Sequence, residues 1–398
     1  MNWKHVWIVF TKELIDTLRD RRTWVGMILL PLILIPIMTL VVPAVTEGKM
    51  SQIQEEAARI AVVGAGNAPE LVAFIDASHP LDVVEVANPR IALEKGEIGA
   101  ILYLEANTLT RIAREEMVGL RVEYDSSDPR SDAARAKLQW LLEQYANQIV
   151  AARLVARGLD PGIIRPFDWQ IANVAPPAKQ GSMFLSMILP MLLAMWAASG
   201  GMYAAIDGGA GEKERGTLEP LLAAPINRLS LVAGKYLTVL TSAMASAAIA
   251  LLGMLVSFRI ASTGIVPSLA NLEMSVPVVN TLIMFIVAVF LAGVFAAVEL
   301  AVSIFARSFK EAQTYLTPVS LVIVFPAIFT QLTMVNELST TSFLIPVLNV
   351  IFVFKELIMG VINWNHIGIT IAVSAVLIRI ALTLTISMFR KETVLFRT

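Results

Sequence analysis

Long apolar runs alternate with charged stretches along the chain, and the lengths of the runs decide the architecture. A bilayer core about 30 Å thick is crossed by roughly 20 apolar helical residues. Residues 24–46 supply one such run with no charge inside it, although Pro31, Pro36 and Pro43 interrupt it. Membrane helices tolerate such breaks, because neighbouring groups satisfy the freed backbone. The run is too long for the core of a cleaved signal peptide, and 23 residues precede it. Hydrophobicity returns at 182–206, 231–257, 278–305, 314–334 and 367–389, so six spans are predicted. A further apolar stretch, 343–363, is broken by Pro346, Asn349, Lys355, Glu356 and Gly360. It reads as a re-entrant hairpin, since irregular backbone at membrane depth survives only when protein or water covers it. Met183, Met187, Met191 and Met195 recur every four residues on the second span, a packing or lipid-facing stripe.

Residues 3–22 carry a different pattern. Trp3, Trp7, Phe10, Leu14 and Leu18 recur at helical spacing, with Lys4, Lys12, Asp16 and Arg19 elsewhere. This predicts an elbow helix within 1–23 that lies flat in the interface, its tryptophans at headgroup level. Residues 47–181 lose the long apolar runs and hold 14 Lys and Arg against 19 Asp and Glu. Strand-like segments at Arg59–Gly64, Asp82–Val86, Gly99–Leu104 and Leu120–Tyr124 alternate with helical ones at Pro69–Ala77, Pro89–Lys95 and 131–157. The expectation is a small α/β domain with one long helix, whose face is marked by Leu138, Leu141, Tyr145, Ile149 and Ala152. Gly64 and Gly66 resemble half of a dinucleotide fingerprint, but Pro69 takes the third glycine's place. Asp125, Asp128 and Asp132 lack the central glycine of a calcium loop, Arg130 standing there, so an ordinary acidic turn is expected. Ser126, Ser127 and Ser131 have no glycine-flanked elbow of a hydrolase.

Composition agrees with the spans. The chain is 56% apolar and 16% charged, with a mean hydropathy of +0.69. Soluble domains are nearer 45–50% apolar and about 25% charged. The predicted fold class is an α-helical polytopic membrane protein with six transmembrane helices and an α/β extracytoplasmic domain between helices 1 and 2. A net charge of −1 offers no field for nucleic acid. The absence of cysteine excludes disulfides, thiolate zinc sites, Fe–S clusters and cysteine nucleophiles. His5, His79 and His366 show no metal-ligand spacing. Orientation follows from Lys and Arg near the span ends. Lys4, Lys12, Arg19, Arg21 and Arg22 precede span one, and Lys213, Arg215 and Arg228 lie in loop 207–230. Arg307 and Lys310 occupy loop 306–313, and Arg390, Lys391 and Arg397 the tail 390–398, whereas loop 258–277 holds only Arg259. Six spans place every basic segment, and both termini, in the cytoplasm, with 47–181 outside the plasma membrane. A seventh span would put the basic tail outside, which again favours the hairpin.

No G-x-x-x-x-G-K-[ST] motif occurs, and Gly211–Thr217 lacks the lysine before its threonine. The chain is therefore not expected to cradle ATP phosphates or to bind a cofactor itself. Loop 207–230 is the most informative segment. Its charges cluster at Glu212–Gly216, after which Leu218, Leu221 and Leu222 form an apolar ridge on a short helix that Pro225 ends. Such a ridge suits a groove on a partner protein.

The segment 212–235 resembles the cytoplasmic coupling loop of ABC-2-type permeases, E-[RK]-x-x-G-[TS]-[LM]-E-x-L-L-x-x-P-[IV]. Arg307–Thr314 resembles that family's second cytoplasmic segment. Pro346 and Asn349 followed by Lys355 and Glu356 resemble its late re-entrant region, and Lys12–Arg22 its elbow helix. The layout is similar to the NatB-like subgroup, related to sodium-efflux systems. The resemblance implies a transport subunit that is not itself an enzyme. Two copies would pair in the bilayer on two separate ATP-binding subunits, which hold ATP and Mg. It implies a coupling contact through Glu214, Arg215, Gly216, Thr217, Leu218 and Glu219, with Gly216 supplying a tight bend. Arg307, Lys310 and Glu311 would join that contact. Sodium export is the implied activity. Export of a lipid, drug or peptide, a secondary transporter, and a membrane receptor with an outer sensing domain are the alternatives.

Charges inside a span cost about 2.5–3.5 kcal/mol each on insertion scales and are functional candidates. Glu299 lies in span four, either as a deep site or near the cytoplasm beside Arg307. A sodium ion takes oxygen ligands, which makes Glu299, Asn349 and Glu356 the candidate set. Lys355 is expected to pair with hairpin or dimer charges, or to be exposed at the outer face. Arg379 in span six is a candidate partner for Glu299 or Glu356.

Overall fold

The computed structural model describes residues 2–164, 167, 172, 177–263, 275–331, 333 and 335–390. Residues 264–274 of loop 258–277, the span-five positions 332 and 334, and the tail from 391 lie outside the described residues, as do the side chains of Met183, Leu222 and Arg390. The chain divides into two compact units, one of residues 1–44 with 174–398, the other of residues 45–173.

Helix α1, Trp3–Arg19, begins at Asn2, whose side chain accepts from the Lys4 amide. It buries Val6, Val9, Glu13 and Thr17 along one face and exposes Trp3, Trp7, Ile8, Ile15 and Leu18. Helix α2, Val25–Glu55, is apolar enough to cross a membrane. Its π-turns, Val25–Leu29 and Ile37–Val41, each stand two residues before a proline, Pro31 and Pro43. A proline lacks the amide donor and presses on the carbonyl four residues back. Widening the preceding turn relieves that clash.

The unit of residues 45–173 is α/β. Its sheet has the order β2-β1-β3-β4, built from β1 (Ala58–Val63), β2 (Leu81–Val83), β3 (Ala100–Tyr103) and β4 (Arg121–Tyr124). Strands β1, β2 and β3 are parallel, and β4 is antiparallel to β3. The connections are α3 (Pro69–Asp76), α4 (Pro89–Glu94) and α5 (Thr108–Ala113), and α6 (Pro129–Ala156) follows β4. One sheet face packs Ile60 and Leu102 on Leu71, Ile75, Leu138 and Leu141. The other packs Ala61 and Ile101 on Ala92 and Ile98. The strand expected over Asp82–Val86 is shorter, because its regular pairing with β1 ends at Val83. The six-residue α5 has no counterpart in the sequence pattern, being too short to establish a period. Gly64 turns with φ +82°, and a Cβ there would lie 2.5 Å from the Leu104 carbonyl oxygen. Asn67 donates to that same oxygen at 3.0 Å. The half fingerprint thus closes the turn onto the chain itself. Asp125 accepts from Ser127, and Asp128 caps α6 through the Arg130 amide, so these acids serve local turns.

The other unit continues with α7 (Pro177–Ser199), α8 (Met202–Ile206), α9 (Leu218–Ala223), α10 (Arg228–Ser262), α11 (Val278–Phe305), α12 (Phe309–Gln331), α13 (Leu348–Ile358) and α14 (Trp364–Arg390). Among the described residues six helices are long and apolar enough to cross a membrane: α2, Leu185–Glu214, α10, α11, α12 and Trp364–Phe389 of α14. The second of these bends at Gly200–Gly201, between α7 and α8, and widens into a π-turn at Asp207–Gly211. Helix α12 starts five residues before the expected span, so Lys310 and Glu311 lie in its first turn rather than in a loop. The cause is a capping box: the Glu311 amide donates to Ser308 Oγ, and Glu311 Oε2 accepts from the Arg307 amide. Within 343–363 the helical core is α13. Its 11 residues rise only about 16 Å, half of a bilayer core. Every residue from Asn349 to Ile358 is buried, packed among α7, α11, α12 and α14.

Candidate functional site: a charged joint at the basic end

A lysine two turns inside an apolar helix needs partners. Lys235 of α10 is 1% exposed, and its Nζ lies 2.8 Å from Glu13 Oε1 and 2.7 Å from Glu212 Oε2. Lys12 closes the figure, 3.2 Å from both Glu13 and Glu212 and 3.3 Å from Asp16. Two lysines and two glutamates therefore alternate around a square, which ties α1 and the turn after α8 to α10. Gly234 lets α1 cross closely, since a Cβ there would lie 2.7 Å from Val9 Cβ. The crossing is fastened on both sides of the square. The Asn2 amide donates to Ser230 Oγ at 3.2 Å, and Thr238 Oγ1 donates to the Phe10 carbonyl at 3.4 Å. Burial alone would push the Glu13 carboxyl up, but Lys235 and then Lys12 outweigh it and hold Glu13 below the usual carboxylate range. At Lys12 burial opposes the charge, yet Glu13 and Glu212 raise it above an ordinary lysine.

The chain leaves the square as a loop with defined geometry. Arg215 bonds Asp207 at 2.7 Å. Gly216 has φ +69°, the Gly216 amide donates to the Lys213 carbonyl at 3.0 Å, and the Thr217 amide donates to that of Glu212 at 3.0 Å. This left-handed stop ends the helical turn Glu212–Glu214. Lys213 donates to the carbonyls of Ile304 and Ala306, and Glu214 Oε2 accepts from the Phe309 amide at 2.7 Å. The two loops expected to act together are thus joined, with Glu311 completing the cap beside them. Arg307 and Lys310 are exposed.

The apolar ridge differs from its expected role. Leu218 is 5% exposed and packs with Val9, Leu231, Val232, Leu300 and Phe389 of its own chain. Leu221 is partly buried against the same cluster. Leu218 anchors the loop and does not offer its side chain outward. What the loop presents is Arg215, Gly216, Thr217, Glu219 and Pro220. Of these, Arg215, Thr217 and Pro220 border a cleft of about 660 Å³ that Lys12, Asp16, Asp207 and Leu221 also line.

A family model described as ABC-2 family transporter protein matches residues 21–387. The chain belongs to the ABC-2 transporter family. It is also 31% identical over 386 residues to the ABC transporter permease protein NatB of Bacillus subtilis (strain 168), covering 96% of this chain and 97% of that protein. No solved structure matches. As a permease subunit of this family the chain works with a separate ATP-binding subunit, and ATP hydrolysis belongs to that partner.

The permease keeps its intramembrane polar residues apart. Glu299 is 3% exposed, beside Gly201 rather than at a wet helix end with Arg307. Lys355 is 4% exposed and donates to the carbonyls of Thr330 at 2.7 Å and Thr333 at 2.5 Å, so it is buried, and among the described residues of its own chain it pairs with no charge. Glu356 bonds His366 Nδ1 at 2.7 Å, and Phe343 stacks on that imidazole at 3.8 Å. Asn349 Oδ1 accepts from the Val350 amide at 2.8 Å. Arg379 is exposed on α14 and bonds neither Glu299 nor Glu356. Asn280 of α11 donates to the Leu357 carbonyl beside Glu356 at 2.8 Å. Glu299 stands 19 residues further along α11, about 28 Å. Glu299, Asn349 and Glu356 therefore do not form one ion site. Among the described residues no group of three or more His, Cys, Asp or Glu side chains is arranged to hold a metal.

Sequence reasoning missed Glu13, Glu212 and Lys235. The available signals were a lysine within the apolar run of α10, and Glu13 on the same helical face as Val6, Val9 and Thr17.

Proposed function

We propose that this permease is the membrane half of an exporter that moves Na+ out of the cell. A separate ATP-binding subunit drives it by pressing on the loop around Gly216 and Glu219. The observation that carries the coupling half of this reading is the buried square, which links that loop directly to α1 and α10. The sodium half rests on the resemblance to NatB-like permeases. Two copies of the chain pair in the plasma membrane on two ATP-binding subunits, with both termini cytoplasmic and residues 47–181 outside. The separation of Glu299, Asn349 and Glu356 favours a second reading, export of a lipid, drug or peptide, because no multi-ligand sodium cage joins them.

Inverted vesicles containing the permease with its ATP-binding subunit test this reading. ATP-dependent 22Na+ uptake is expected, and the double variant Gly216→Pro with Glu219→Lys is expected to abolish it. A purified complex that hydrolyses ATP but takes up no sodium would remove the sodium reading, and amphipathic cargoes would be assayed next.

A further inference from the structure

One carboxyl in the bundle has no role in the joint. Glu299 Oε2 is buried and without a hydrogen-bond partner among the described residues. It faces the bend between α7 and α8, where a Cβ on Gly201 would lie 3.3 Å from it. On the adjoining Gly200, a Cβ would lie 2.8 Å from Ser246 Oγ of α10, which is also buried and without a partner among the described residues. Two orphaned oxygens therefore flank two consecutive glycines. Glu299 lies six residues before the end of α11 at Phe305, about 9 Å inside the helix end. The square is close: Gly208, whose Cβ would lie 3.9 Å from Lys235 Nζ, is seven residues from Gly201, about 10 Å.

The surrounding titratable groups do not neutralise Glu299. On α10, Lys235 is held by Glu13 and Glu212, and Tyr236 donates to the Gly293 carbonyl. Tyr203 of α8 packs beside Gly26, and Asp207 pairs with Arg215. On α13, Lys355 and Glu356 are bonded at the far end of α11, and α7 carries no titratable residue over its described side chains, 185–199. On α12, Glu311 and Tyr315 bond each other, and Lys310 is exposed. On α14, Arg379 is exposed and His366 bonds Glu356. A buried carboxyl without a partner is stable only with a proton or a bound cation.

We infer that Glu299, with the Ser246 hydroxyl beside the Gly200–Gly201 bend, is an exchange site where a small monovalent cation displaces a proton. The identity of that cation as Na+ rests on the reading proposed above; the site itself does not. Only one carboxylate is involved, which suits a monovalent ion rather than a divalent one.

The test uses the purified full-length permease in lipid, without ATP. Dicyclohexylcarbodiimide reacts from the lipid phase with protonated carboxyls, and peptide mass spectrometry locates the adduct. Expected results are an adduct at Glu299 that declines as pH rises, and protection by Na+ but not by choline at equal ionic strength. A K+ arm separates a sodium site from a general alkali-ion site, and protection by either supports the inference. Glu299→Gln should lose the adduct. Ser246→Ala should raise the Na+ concentration needed for protection several-fold, whereas Ser242→Ala should not, because the Ser242 hydroxyl already donates to the Thr238 carbonyl. No adduct at Glu299 in folded protein, or an adduct indifferent to Na+ and K+, would overturn the inference. An unchanged midpoint in Ser246→Ala would overturn the share given to Ser246. Protection without ATP-driven uptake would count against sodium export alone, and uptake without an adduct against this site alone.

Discussion

Lys235→Met is expected to destabilise the permease by about 3–5 kcal/mol, the usual cost of removing one partner from a buried ion pair. The side-chain volume is nearly kept, so the loss is electrostatic. Glu13 and Glu212 would face each other with only the half-exposed Lys12 between them. The measurement is the melting temperature of the purified protein in detergent, alongside ATP-dependent transport. The triple variant Glu13→Gln, Lys235→Met, Glu212→Gln removes the orphaned charges and is expected to recover most of the lost stability. It should not recover transport, because the loop would no longer be tied to α1 and α10. A Lys235→Met protein as stable and active as the parent would show that the square is dispensable.

The second large effect is expected at Gly216. Its φ of +69° lies where an L side chain costs about 1–2 kcal/mol, and nothing lies within 4 Å of a Cβ built there. Gly216→Ala should therefore weaken coupling without a steric clash. Gly216→Pro cannot reach this φ and also removes the amide that donates to Lys213, so the loop must rebuild. The complex bearing Gly216→Pro is expected to lose stimulation of ATP hydrolysis by the permease. The melting temperature of the permease alone should stay close to that of the parent, since the loop is exposed there. If Gly216→Pro kept full stimulation, the bend would have no part in coupling.

The helical elements were largely legible because apolar run length is a direct physical signal in a bilayer. Val278–Phe305 coincides with a predicted apolar span in which Glu299 is the one charge, and the breaks at Pro346 and Gly360 mark a segment whose only long helix has 11 residues. Boundaries failed where side-chain capping outweighed hydropathy, as at Ser308 and Glu311, which start α12 early. The loop's bend at Gly216 could be inferred from a glycine among charges. The inward turn of Leu218 could not, because its partners Val9, Leu300 and Phe389 are remote in sequence. The square escaped for the same reason: Glu13 and Lys235 stand 222 positions apart. The three proposed sodium ligands shared a chemistry but not a place, and residue type alone carries no distance.

The central claim is that a separate ATP-binding subunit docks on the surface presented by Arg215, Thr217 and Glu219. The chain contains no cysteine, so single cysteines can be introduced without background. Arg215→Cys, Thr217→Cys and Glu219→Cys, with Asp82→Cys in the α/β unit as control, would each be treated with a short bifunctional thiol reagent in the assembled complex. The account predicts cross-links from the three loop positions to the ATP-binding subunit, with yields that change on ATP addition, and none from position 82. A complex that hydrolyses ATP yet cross-links from none of the three loop positions would contradict it.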